Sequence, residues 1–226
     1  MSANHHDHDH DHDHDHDHDH DHAGAHAPIE DHDAFGEFQF LEQAIRELLI
    51  EDGVLSSAEI QRQIEHQESR TPALGSAIVA RAWTDPAFRA ALLEDPKAAL
   101  SRTLGIEIGP APELRVLENT ERVHNVVVCT LCSCYPRMLL GVPPAWYKSR
   151  EYRARVVREP RAVLEEFGLR LPDDVELRVS DSTADLRFLV IPVRPAETAG
   201  LDEQALAAWV GRDAMIGTGV PGRPPA

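Results

Sequence analysis

Cys129-Thr130-Leu131-Cys132-Ser133-Cys134 holds every cysteine of a 226-residue chain. Thiols used for packing would be scattered along the chain. An odd number in one cluster also argues against a disulfide framework. The segment reads as a tight turn that points three thiolates at one place. The run Val126-Val127-Val128 just before it is β-rich and gives the turn a strand to end on. The rest of the fold has to hold this turn as a metal site.

Generic metal chemistry fits it poorly. A structural zinc site takes four ligands, commonly two separated Cys/His pairs, and no second pair exists here. His124 lies nearby but on the preceding strand, so a zinc knuckle completed by it is a weak alternative. An iron–sulfur cluster wants a fourth cysteine. A redox Cys-x-x-Cys pair leaves the third thiol without a role. Another arrangement uses everything. The sulfurs of Cys132 and Cys134 and the amide nitrogens of Ser133 and Cys134 can chelate one ion in a plane. Cys129 then folds over as an axial sulfur, and the opposite position stays open for substrate or water. Ionising backbone amides takes a strong Lewis acid, and thiolate softness favours Co(III), or less readily Fe(III), over Mg or Ca.

Composition removes other classes. The net charge is -17, and residues 1–33 account for -11 of it. Neither part makes a basic footprint, so nucleic acid is set aside. No run approaches the roughly 20 apolar residues of a membrane span. The polar, acidic N-terminus matches neither a secretory signal nor a transit peptide. The simplest compartment is a bacterial-type cytoplasm.

Three regions follow along the chain. Residues 1–33 form a His/Asp-rich tail with nothing to bury, expected to be disordered. Its alternating imidazoles and carboxylates suit loose capture of divalent transition ions. Residues 34–109 read as a helical arm. Phe38, Leu41, Ile45, Leu48 and Leu49 fall at helical spacing up to Gly53. Ser56-Ser57-Ala58-Glu59 is a capping-box start for a polar second helix, suited to a surface or another chain. Further helices run from Pro72 to Trp83, from Pro86 through Leu93 and from Pro96 to Gly105. With few large core residues, the arm points to a partner subunit. Residues 110–226 read as a metal-binding α/β domain, a mixed sheet with helices outside. Its strands fall at Leu114–Glu118, Val123–Cys129, Val175–Val179 and Leu186–Ile191. Helical stretches open at Pro143-Pro144 and Pro160, a last helix covers Leu201–Val210, and the Gly/Pro-rich end looks extended.

The stretch Cys129 to Tyr135 resembles the metal-binding signature of the nitrile hydratase α subunit. So do the Val123-His124-Asn125 lead-in, Leu140 to Ser149 and Tyr152 to Arg161. The similarity covers roughly residues 36–220. It implies an α+β fold: a helical N-terminal arm plus a four-layered α-β-β-α domain. It implies a low-spin Co(III) centre, because Thr130 and Tyr135 match the cobalt-type variant. Cys132 would be oxidised to sulfinate and Cys134 to sulfenate, with Cys129 kept as thiolate. Ser133 would give its amide nitrogen to the metal and its hydroxyl to the pocket. A β-type partner subunit, as one chain or split in two, would hold the oxidised sulfurs with arginines, and an activator protein would insert the metal. The reaction implied is hydration of a nitrile to its amide, with water or the Cys134 sulfenate as the attacking oxygen.

One position departs from the family pattern. Pro136-Arg137-Met138 stands where relatives usually carry tryptophan. An arginine there, like the Asp/His-rich start, is similar to the related thiocyanate hydrolase γ subunit. A guanidinium suits a small anion, which gives Arg137 a candidate catalytic role beside Cys134 and Ser133. Alternatively, Arg137 pairs with the partner chain. Val123-His124-Asn125 and Tyr147-Lys148-Ser149 favour nitrile hydratase, with thiocyanate hydrolase as runner-up. The tail and the thiols together leave a third reading, metal storage or delivery.

Overall fold

Helix starts are set by short polar side chains that satisfy the first free amides. The computed structural model describes residues 37–223, and the tail expected to be disordered lies outside the described residues. Five helices precede the strands: α1 (Glu37–Glu51), α2 (Ser57–Glu68), α3 (Ala73–Thr84), α4 (Pro86–Glu94) and α5 (Pro96–Leu104). The capping box of α2 forms as expected: the Ser56 hydroxyl accepts from the Glu59 N–H, and the Glu59 carboxylate accepts from the Ser56 N–H. Asp85 and Asp95 cap α4 and α5, each with proline at the first helical position.

The strands do not form one mixed sheet. β1 (Glu113–Glu118) pairs in parallel with β4 (Leu186–Ile191), and β2 (Val123–Val128) pairs in parallel with β3 (Glu176–Asp181). The link between β1 and β2, residues 119–122, is short enough for a hairpin, yet it carries the chain from one pair to the other. Asn119 explains why: its side chain is consumed by β2, accepting from the Asn125 N–H (2.8 Å) and the Asn125 side chain (2.9 Å). Helices α4 and α5 lie against β1, β2 touches β4, and α9 (Pro160–Glu166) lies against β3. The succession is α-β-β-α, the layering expected.

The crossover from β2 to β3 holds the cysteine turn, then α6 (Arg137–Leu140), α7 (Ala145–Lys148), α8 (Arg150–Arg155) and α9. After β4 come α10 (Glu203–Ala207) and α11 (Arg212–Ile216). The sequence reading of an extended end is corrected by α11. Ala214, Met215 and Ile216 are buried against β2, β4 and α3, and this packing outweighs the flanking Gly/Pro composition.

His124 ties α11 to the start of β2. Asn119 has its amide oxygen engaged, so its Nδ2–H donates to His124 Nδ1 at 3.2 Å, and His124 Nε2–H donates to the Gly217 carbonyl at 2.8 Å. Both imidazole nitrogens are used, so His124 is not a metal ligand. The ring is buried and fits only when neutral, and burial lowers its pKa. On acidification the unfolded chain therefore protonates first. His124's stability contribution is present above about pH 6.5 and lost as pH falls through the folded pKa. Thermal unfolding between pH 7.5 and 5 is expected to show this loss, with a shallower slope for His124→Gln. Equal slopes would refute the assignment.

Candidate metal centre

Strand pairing delivers the site. β2 is buried at every position from His124 to Val128, as a parallel strand covered on both faces must be. The cysteine turn leaves its carboxyl end, where crevices open beside parallel sheets. Cys129 is fully buried, Cys134 nearly so, and Cys132 faces solvent. Cys129 Sγ lies 3.3 Å from Cys132 Sγ, which lies 3.1 Å from Cys134 Sγ, and all three sulfurs fall within 4.8 Å of one another.

These separations suit one ion. With metal–sulfur bonds of about 2.3 Å, two sulfurs at right angles stand about 3.3 Å apart, whereas tetrahedral ligands stand about 3.8 Å apart. The observed spacing matches adjacent corners of an octahedron or square pyramid better than a zinc tetrahedron. Soft thiolates and a solvent-facing side complete the fit to a transition ion with an open position. Among the described residues this is the one cluster of its kind. The thiols are electrostatically unequal. Hydrogen bonds from Cys134 and then Cys129 bring Cys132 down to about 7, while burial pushes Cys134 up to about 12. Of these two, Cys132 is the readier to offer a thiolate.

The turn is held at both ends by groups far away in sequence. At its start, Asp181 closes β3 directly opposite Val128 in the parallel register. Its carboxylate accepts from the Thr130 N–H at 2.9 Å and the Thr130 hydroxyl at 2.6 Å. At its end, the Tyr147 hydroxyl donates to the Cys134 carbonyl at 3.0 Å. Behind it the Tyr152 hydroxyl donates to the Val127 carbonyl at 2.8 Å. Tyr135, Trp146, Tyr147, Tyr152 and Phe167 pack edge-on and tilted into one aromatic cluster. Trp146 and Tyr147 pack behind the cysteine loop, and the hydroxyl bonds were not legible in the sequence.

Ser133, half-buried, sits between Cys132 and Cys134. Arg137 opens α6, is exposed, and its guanidinium has no hydrogen bond or ion pair among the described residues. Two other arginines of this region are occupied within the chain. Arg155 is buried and pairs with Glu159 and Glu166, and Arg161 donates to the carbonyls of Leu171, Pro172, Asp173 and Val175.

A buried parallel strand ending in a loop of three convergent thiolates defines a metal-binding chain of the thiolate-claw kind. The chain belongs to the nitrile hydratase alpha-chain family, whose sequence model matches residues 36–219. Homologues named nitrile hydratase are hydro-lyases, enzymes that hydrate nitriles. The low-molecular-weight cobalt-containing nitrile hydratase α subunit of Rhodococcus rhodochrous is 49% identical over 183 residues, 80% of this chain and 88% of that one. The thiocyanate hydrolase γ subunit of Thiobacillus thioparus is 45% identical over 196 residues, 82% of this chain and 80% of that one. A solved double mutant of the Fe-type nitrile hydratase from Comamonas testosteroni Ni1 superposes with a TM-score of 0.78 at 38% identity, covering 84% of this chain and 94% of that one. No helix among the described residues is long and apolar enough to cross a membrane.

Proposed function

We propose that this chain is the metal-binding subunit of a cobalt-type nitrile hydratase, adding water across a carbon–nitrogen triple bond to give the amide. The observation that carries the reading is the convergence of Cys129, Cys132 and Cys134 at right-angle ligand spacing in a chain of this family. Their sulfurs, with the amide nitrogens of Ser133 and Cys134, would hold Co(III). When bound, the ion supplies Lewis acidity that polarises the nitrile. The chain's own residues fix the centre. Tyr147 anchors the Cys134 carbonyl, Asp181 anchors Thr130, and the aromatic cluster backs the loop and keeps water from its inner side. Oxidation of Cys132 to sulfinate and Cys134 to sulfenate belongs to the same reading, as does assembly by an activator protein in a cytoplasm.

A partner subunit follows from α1 and α2. Phe38, Leu41, Ile45, Leu49, Leu55 and Ile60 line an open apolar groove of about 520 Å³, with Phe38 82% exposed. Exposed apolar surface of this kind marks an interaction site, and a β-type subunit is its proposed occupant.

Two observations sustain other readings. The exposed Arg137, unpaired among the described residues, and the thiocyanate hydrolase relative favour a small anionic substrate. The alternating imidazoles and carboxylates of residues 5–22, which lie outside the described residues, favour metal delivery.

One preparation tests all three. The chain, co-purified with its partner, is analysed for metal and intact mass, then given an aromatic nitrile, an aliphatic nitrile and thiocyanate separately. Tightly held cobalt, about three added oxygen atoms (two for a sulfinate, one for a sulfenate) and nitrile turnover are expected. Turnover of thiocyanate alone would overturn the nitrile reading. Unoxidised thiols with metal lost to a mild chelator would leave delivery. Removing residues 1–22 is expected to lower cobalt loading in metal-poor medium, and unchanged loading would make the tail inert.

A further inference from the structure

The loop that carries the thiols is fastened at its first free residue by a carboxylate more than fifty positions away. Val128 is the last ladder residue of β2, and Cys129 follows it. Thr130 is the next residue, and both its N–H and its hydroxyl donate to Asp181, at 2.9 Å and 2.6 Å. Asp181 reaches it because the parallel register sets Asp181 opposite Val128, and the following Ser182 N–H continues the ladder to the Val128 carbonyl at 2.7 Å. Two donors from one residue on the two oxygens of one carboxylate leave Thr130 little freedom to turn. Charge-assisted bonds of this kind are the stronger class. The next constraint is internal, the Cys132 N–H donating to Cys129 Sγ at 3.3 Å. Fixing Thr130 therefore fixes the direction in which the chain returns over Cys129.

We propose that Asp181, acting through Thr130, is the positioning residue that pre-forms the three-thiolate site before metal enters. The proposal rests on the metal-site reading above. A loop free at this point would have to be ordered by the incoming ion, at the expense of affinity. A loop already clamped spends none of the binding free energy on ordering. The hydroxyl is essential to the device and the methyl of Thr130 is not, so valine should break it and serine should preserve it. Asparagine at 181 keeps only one acceptor oxygen and should retain part of the effect.

The test titrates Co(II) into the reduced, full-length chain under anaerobic conditions. The readout is thiolate-to-cobalt charge-transfer absorption, which imidazoles and carboxylates of the N-terminal tail do not give. Relative to the wild type, Thr130→Val is expected to raise the half-saturating cobalt concentration about tenfold, in line with loss of one hydrogen bond to a charged group. Asp181→Asn should fall in between, and Thr130→Ser should stay within about twofold, as expected when the donor is kept. The Thr130→Val/Asp181→Asn pair should be less than additive, as for two members of one contact. Metal-free melting temperatures provide the folding control. If Thr130→Val and Asp181→Asn bind cobalt like the wild type, or if Thr130→Ser is as damaged as Thr130→Val, the positioning role is refuted. Absence of any charge-transfer band in the wild type would instead refute the metal-site reading on which it rests.

Discussion

Cys132→Ser is expected to abolish the tightly held metal and, with it, turnover. The serine hydroxyl is nearly isosteric, so folding should survive: Cys132 faces solvent and supports no core contact. What disappears is the central ligand of the proposed site. Cys132 Sγ is the atom within 3.3 Å of Cys129 Sγ and within 3.1 Å of Cys134 Sγ, and it is more readily ionised than Cys134. Serine ionises far above any working pH and is a hard ligand where a soft one is needed. Losing a group that merely orients a ligand costs roughly 10–100-fold in metal affinity or activity. Losing the ligand itself should exceed that range, leaving activity at background. The measurement is metal content after gel filtration in a chelator, beside the melting temperature of the metal-free protein. Retention of stoichiometric cobalt by Cys132→Ser would mean that the three sulfurs do not share an ion.

That thiol cluster was legible in the sequence because it is local. Cysteines at positions 129, 132 and 134 need only a turn to converge, and the valine run before them announced the strand. The caps at Ser56, Asp85 and Asp95 were legible for the same reason, since a helix start is settled within four residues. What holds the site was not. Asp181, Tyr152 and Tyr147 lie 51, 25 and 13 residues from their partners in the loop and in β2, and nothing in their own neighbourhoods marks them. Their roles depend on strand pairing, and pairing was misread. The sequence reading placed the four strands in one mixed sheet, while Asn119 accepts both hydrogen bonds from Asn125 and β2 joins a different partner. Had the parallel pairing of Val128 with Asp181 been known, the acidic end of β3 would have been an evident candidate. Helix α11 escaped for a related reason: composition describes the isolated segment, whereas Met215 and Ile216 are helical in the context of the core they complete.

The end of α11 also yields the largest expected loss of stability. Gly217 closes that helix at φ +83°, and its carbonyl accepts the His124 Nε2–H. A Cβ on this residue would lie 1.8 Å from the Asn125 carbonyl oxygen, 2.8 Å from its carbon and 3.0 Å from Val126 Cα. All three are backbone atoms in the buried part of β2 and cannot rotate aside. Gly217→Ala must therefore push α11 away from β2 and break the His124 bond, or bend β2 itself. The left-handed backbone alone costs an alanine about 1–2 kcal/mol. The overlap should carry the total to about 4 kcal/mol or more, the range reserved for disrupted cores. For a chain of this size that is a fall of roughly 8–16 °C in melting temperature. Gly168→Ala separates the two contributions, because Gly168 has φ +81° but open space around its Cβ position. It should lose only the backbone part. If the two variants melt together, β2 is not clamped by α11. If Gly217→Ala alone collapses, and the metal-loading defect appears with it, then the strand that presents the cysteines is held from its far end, by the helix that composition alone had read as an extended tail.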